Sequence, residues 1–167
     1  MEILKVSRRH LINSKAKRSL INRLIDLKLP PVVSKKMEIE LVELEKVTLY
    51  FLGEDIILIE TSDFLVPSLK ALKTTENISM PFVVVDTGAI RFVVKGADIM
   101  RPGITEISPD VKKDQLILVL EENNKASIAI GTALFDYSEM NQMTTGKVVK
   151  NIHHLTDEYW TFNRNLL

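Results

Sequence analysis

The 167-residue chain predicts an α+β protein in two modules, an N-terminal α/β module over residues 1–78 and a mostly β module over residues 79–167. Three observations carry this. Helical spacing of Leu20, Ile21, Leu24 and Leu27 gives way, from Met37, to alternating apolar and acidic residues. The polar stretch KTTENIS at 73–79 then interrupts the pattern. Beyond it the apolar runs are short, closely spaced and separated by turn residues, as in a small barrel or sandwich.

Each element has its own signal. Asn13 or Ser14 caps a helix running to about Leu27, with Lys15, Lys17, Arg18, Asn22 and Arg23 mostly off the apolar stripe, and Pro30-Pro31 stop it. Met37, Ile39 and Leu41 alternate with Glu38 and Glu40 before the phase slips at Val42, as a β-bulge would make it. Gly53-Glu54-Asp55 turns the chain back into Ile56–Ile59, and Pro67 opens a short helix through Leu72. In the second module, strands are expected at Phe82–Val85, Ile90–Val94, Leu116–Leu120, Ser127–Leu134 and Lys147–Ile152. The uninterrupted apolar runs at Phe82–Val85 and Leu116–Leu120 should be buried on both faces. Ala129, Gly131 and Ala133 make one face of their strand small enough for another backbone to approach.

Hydrophobic residues make up 46% and charged residues 26%, values of a globular domain that exclude a disordered chain. No apolar run reaches the roughly 20 residues of a membrane helix, and the charges in MEILKVSRRHL argue against a secretory leader. Cysteine is absent, which excludes disulfides, thiol nucleophiles and thiolate metal sites and fits a cytoplasmic protein. Net charge is zero, yet residues 1–36 carry ten Lys/Arg against two acids, whereas 37–78 carry three against nine. A basic N-terminal surface of Arg8, Arg9, Lys15 and Arg18 facing a polyanion accounts for that polarity, as does a solvated basic helix beside an acidic sheet.

The stretch VDTGAIRFVVKGADIMRPGI at 85–104 holds three of the six glycines. Asp86-Thr87-Gly88 has the form of an aspartic-protease motif; with one copy per chain, such an enzyme must pair Asp86 across a dimer. The plainer reading is a hairpin turn with Asp86 structural. Were Ile90–Val94 a strand, Arg91 and Lys95 would lie on one face roughly 13 Å apart, a spacing suited to neighbouring phosphates, with surface salt bridges as the alternative. Lys95–Met100 reads as one helical turn entered through Gly96 and able to hold a phosphate, unless Asp98 occupies its donors. Arg101-Pro102-Gly103 has type II turn character. Thr145-Gly146-Lys147 lacks the leading glycine and trailing hydroxyl of a phosphate loop. Adjacent His153 and His154 diverge, so no metal site and no cofactor are expected; stacking or bonding to RNA and plain packing remain for them. Tyr159, Trp160 and Phe162 could stack on bases, with Trp160 expected to be mostly packing.

PFVVVDTGAIRFVVKGADIMRPGI, ASIAIGTALF and GKVVKNIHHLTDEYW, in this order, resemble a PUA domain, a small RNA-binding pseudobarrel, over about residues 79–162. With RRHLINSKAKRSLINRL and FLVPSLKAL ahead of it, the chain is similar to the malignant-T-cell-amplified-sequence type of translation protein and its archaeal relatives. The resemblance implies a pre-PUA α/β module before the PUA barrel. It implies non-catalytic binding of structured RNA, the tRNA acceptor stem and CCA end or the small ribosomal subunit, in initiation, reinitiation or recycling. Carried onto this sequence, the RNA-binding residues are Arg91, Lys95, Gly96, Ala97, Arg101, Pro102, Gly103, Lys147 and His153. Substitution of Gly96 should then impair RNA binding more than folding. The implied partners are tRNA or rRNA, the small subunit and a separate density-regulated-type protein, with no membrane. The alternative is an accessory subunit of an RNA-modifying assembly of the pseudouridine or archaeosine type.

Overall fold

The computed structural model describes residues 5–167; Met1–Leu4, the start of the MEILKVSRRHL stretch, lie outside the described residues. The chain divides into two compact units, one of residues up to Ser79 together with Phe162–Leu167, the other of Met80–Thr161. The segment 162–167, which the sequence reading leaves with the second module, packs with the first.

In the first unit, β1 (Arg8–Leu11), β2 (Glu40–Glu43), β3 (Thr48–Leu52), β4 (Asp55–Glu60) and β5 (Leu65–Pro67) form an antiparallel sheet in chain order. Helix α1 (Ser14–Asp26) starts where the Asn13 side chain accepts the Ala16 N–H at 2.9 Å, satisfying one of the first-turn donors. It stops before Pro30. Leu29 N–H reaches Leu24 C=O at 2.8 Å and Lys28 N–H reaches Ile25 C=O at 2.9 Å, with Lys28 at φ 55°, a left-handed terminus. Leu20 and Leu24 are buried, but Leu27 sits in that terminus and is 52% exposed, so the apolar stripe ends a turn earlier than its spacing predicts. Ser68, not Pro67, caps α2 (Leu69–Thr74), and Pro67 lies in β5.

The expected bulge at Val42 is absent. β2 begins only at Glu40 and pairs without a break, so the change of phase marks the strand's start; the irregularity falls in β3, between Tyr50 and Phe51. Glu60 joins sheet and helix, taking the Tyr50 hydroxyl at 2.6 Å and the Arg23 guanidinium at 2.5 Å. Burial pushes the Glu60 carboxyl upward, but those two partners outweigh it and hold it below the usual carboxylate range. At the other end of the chain, the Phe162 ring lies 5.8 Å from Phe51. Arg164 stacks over the same Phe51 ring at 4.7 Å and pairs with Glu40.

The second unit is a nearly closed β pseudobarrel. Its strands are β6 (Phe82–Val85), β7 (Ile99–Met100), β8 (Ile104–Ile107), β9 (Leu116–Glu121), β10 (Ser127–Ala133) and β11 (Lys147–His154), in the order β7-β11-β10-β9-β6-β8. Only β6 and β9 run parallel. Val83, Val85, Ile117, Val119, Ala129 and Val149 fill the interior. Burial in β9 alternates, with Ile117, Val119 and Glu121 inward, so this strand is covered more fully on one face than the sequence reading expects. Gly131 admits the neighbouring strand: a Cβ there would stand 2.6 Å from the Lys150 carbonyl oxygen.

The largest departure is Ile90–Val94, which is helical. Helix α3 (Thr87–Val93) begins at Asp86, whose carboxylate accepts the Ala89 N–H at 2.8 Å, while Thr87 N–H and hydroxyl both reach Glu122 Oε1 at 2.7 Å. The apolar residues fit a strand by propensity, but this capping and the packing of Ala89 and Val93 against the core decide for helix. A second short helix, α4 (Tyr137–Gln142), precedes β11.

At the end of β11, Asp157 holds a turn together. Its oxygens accept the N–H groups of His154, Tyr159 and Trp160 at 3.0, 3.0 and 2.8 Å and face His153 Nδ1 at 2.6 Å. Burial raises this carboxyl, yet His153 and the backbone donors prevail and keep it below its ordinary value. Its stabilising effect is therefore present above the unfolded carboxyl range and is lost as pH falls through the lowered folded value. Asp157→Ala is expected to destabilise the protein by about 2–4 kcal/mol at neutral pH and to flatten the acid limb of the stability profile, checked by urea midpoints between pH 3 and 7.

Candidate nucleic-acid interface

Two walls and a floor make a groove of about 470 Å³ in the second unit. One wall is α3, contributing Gly88, Ala89, Phe92 and Val93; the other runs through Ala97, Asp98, Ile99 and Met100, and Pro102 and Gly103 close one end. The surface is largely apolar. Phe92 is 53% exposed and Met100 50%, a costly arrangement for large side chains unless something covers them. Arg91 lays its guanidinium over the Phe92 ring at 4.7 Å, which puts a cation at the rim.

Asn151 ties the walls together from behind. Its amide donates to the carbonyls of Val93 and Ala97, both at 3.0 Å, linking the last residue of α3 to the segment that follows it. Its backbone N–H reaches Asp98 Oδ1 at 2.9 Å, and Lys147 Nζ sits 3.2 Å from Asp98 Oδ2. Asp98 thus neither caps a helix nor stands unpaired.

The residues named from the sequence fall into distinct positions. Ala97, Pro102 and Gly103 line the groove; Arg91 and Lys95 are exposed on and just after α3. Because this segment is helical, their expected placement along one strand face is corrected. Gly96, at φ 93°, ends α3 instead of opening a helix: Gly96 N–H bonds Val93 C=O and Ala97 N–H bonds Phe92 C=O, both at 3.0 Å. A Cβ there would also meet His154 Nε2 at 3.0 Å. Substitution of Gly96 is therefore a folding lesion first, reversing the expectation from sequence. Arg101–Gly103 is a 3-10 turn, not a type II turn, and Arg101 spends its guanidinium on the carbonyls of Met140 and Ile104.

His153 is corrected as well. It is 1% exposed, with its ring edge-on to Tyr159 at 6.0 Å, and cannot reach an external RNA. In the first unit, Arg9 is paired with Glu40 at 2.6 Å, and Lys17 is bound to the carbonyls of Lys35 and Met37. Arg8, Lys15 and Arg18 are exposed and have no ion-pair partner among the described residues. Asp86, Gly88, Ala89, Phe92 and Met100 line the groove without being expected there from the sequence. The signal for them was Asp86 three residues before Ala89, a helix cap, followed by Ala89, Phe92 and Val93 at helical spacing.

A PUA domain model matches residues 81–155, and a domain of unknown function, DUF1947, matches residues 8–75. The chain is 34% identical over 139 residues to Translation machinery-associated protein 20 of Saccharomyces cerevisiae, spanning 79% of this chain and 76% of that one. The chain belongs to this family. Within the family's wider circle, Malignant T-cell-amplified sequence 1-A of Xenopus laevis is 32% identical over 99 residues, 56% of this chain and 53% of its own. The crystal structure of a hypothetical protein from Pyrococcus horikoshii OT3 superposes with a TM-score of 0.76 at 28% identity, covering 92% of this chain and 98% of that one. For this member of the Translation machinery-associated protein 20 family, the groove lies inside the segment that the PUA model matches. Among the described residues, no helix is long and apolar enough to cross a membrane, and no group of three acidic or histidine side chains is placed to hold a metal ion.

Proposed function

We propose that this protein binds structured RNA through the groove between α3 and the 97–103 segment, without catalysing a reaction. The RNA class is the tRNA acceptor stem with its unpaired CCA end, presented on the small ribosomal subunit in initiation, reinitiation or recycling. The observation that carries the reading is the juxtaposition of exposed Phe92 and Met100 with a cation stacked on the ring, an arrangement suited to a base with its phosphate alongside. The helix start itself is unsuited to phosphate, since Asp86 and Glu122 occupy its donors. Kinship with translation machinery-associated proteins supports the translational setting and, through it, a cytoplasmic location; a separate density-regulated-type partner belongs to the same proposal. Arg8, Lys15 and Arg18 would add sequence-independent attraction to rRNA.

Titration with tRNA carrying or lacking its CCA end tests this. The intact form is expected to bind about tenfold tighter, the worth of one or two stacked bases, with affinity falling linearly in log–log terms as salt rises. Absence of binding to either form at moderate salt would overturn the reading. Co-purification with an RNA-modifying enzyme instead of ribosomes would move the function to the accessory-subunit alternative.

A further inference from the structure

We infer that the surface of β2 and β3 under the C-terminal segment is a peptide-docking site for a separate protein, one that presents an aromatic residue two positions before an arginine. The segment 162–167 displays the chemistry this surface takes and competes for it from within the chain. Phe162 sets its ring 5.8 Å from that of Phe51, and Arg164 stacks over the same Phe51 ring at 4.7 Å. The Arg164 fork then divides among three acceptors. One terminal nitrogen donates to the Gly53 carbonyl at 2.5 Å, the other pairs with Glu40, and Nε lies 3.9 Å from Glu54 Oε2. A lysine, with one nitrogen and no plane to stack, cannot reproduce this set.

Three features make the occupant exchangeable. Among the described residues, no backbone-to-backbone hydrogen bond joins 162–167 to the sheet, so the segment departs without opening the ladder. Its turn closes on itself, Asn163 accepting the N–H groups of Asn165 and Leu166 at 2.9 and 3.0 Å. Glu40 also holds Arg9 at 2.6 Å, so departure of Arg164 leaves no orphaned carboxylate. What departure uncovers is the Phe51 ring, fully buried with the segment in place, beside the acids Glu40 and Glu54. A ring flanked by carboxylates calls for an apolar group and a cation together, and repels the phosphates of a nucleic acid.

The test uses the full chain carrying Phe162→Ala and Arg164→Ala, and as probe a fluorophore-labelled heptapeptide, TFNRNLL, the sequence of residues 161–167. By fluorescence anisotropy the double variant is expected to bind the peptide at least about tenfold tighter than the unaltered chain, because it lacks the tethered competitor. Arg164→Lys in the peptide, or Glu40→Gln added to the double variant, should each weaken capture about tenfold. Equal capture by the unaltered chain and the double variant would overturn the competition, and no capture by the folded double variant would overturn the site. Capture indifferent to Glu40 would place the peptide elsewhere, with the same result. Should the double variant not fold, the unaltered chain decides: millimolar unlabelled peptide should shift the Arg164 Nε resonance toward that of free arginine, and an unmoved resonance would overturn the inference. Concentration-dependent dimers of the unaltered chain that the peptide dissolves would give the surface to the C-terminus of a second copy and overturn the separate partner.

Discussion

Gly88→Leu is expected to abolish most RNA binding while leaving the protein as stable as before or slightly more so. Gly88 lies in the first turn of α3 and lines the groove; a Cβ added there meets only Asp86 Oδ1, at an ordinary 3.4 Å. Its backbone carries no left-handed requirement, so a side chain costs no strain. Leucine is a better helix former than glycine by up to about 0.8–1 kcal/mol, which bounds the gain in stability. One turn on, at the i+4 position, stands Phe92, so the new side chain grows beside the ring that a base would cover. Affinity for CCA-ended tRNA should fall at least about tenfold, with the melting temperature within a few degrees of the parent. Unchanged affinity with leucine in place would show that RNA binds elsewhere.

The largest effect on stability is expected at Gly131→Ala. Here the added Cβ would stand 2.5 Å from Val149 Cγ1 and 2.6 Å from the Lys150 carbonyl oxygen. A side chain could rotate away, but a backbone oxygen in a hydrogen-bonded ladder cannot, so β10 and β11 must separate where they pair. A loss of about 3–4 kcal/mol is expected, at the upper end for overpacking, read as a lower urea midpoint with an unchanged slope. A change below about 0.5 kcal/mol would mean that the strands part more readily than their register implies.

What could be read from the residues alone follows a physical line. α1 was legible because Asn13 acts through its own neighbours, and the Gly53-Glu54 turn because the strands beside it are adjacent in sequence. The close approach at Gly131 was legible as a need for space. The helix at 87–93 was missed because its apolar residues are equally at home in a strand. Part of what fixes it, Glu122 on Thr87, comes from 35 residues away. Of the groove, Ala97, Pro102 and Gly103 come from the family resemblance and not from spacing, and the wall from Gly88 to Phe92 stays hidden as long as the segment reads as a strand. His153 shows the converse limit. One ring of an adjacent histidine pair gives no sign of burial in the sequence until Asp157 and Tyr159 pack against it. Likewise Arg101 and Lys147 carry the right charge for RNA, but the carbonyls and the carboxylate that engage them are supplied by distant parts of the chain.

The return of Phe162 and Arg164 to Phe51 and Glu40 has a consequence for synthesis on the ribosome. Domains generally fold as they emerge, the N-terminal one first. In this chain, the first unit to leave the exit tunnel keeps an open socket on β2 and β3 while all of Met80–Thr161 is translated, and closes it only afterwards. The unit begun earliest is thus completed after its neighbour.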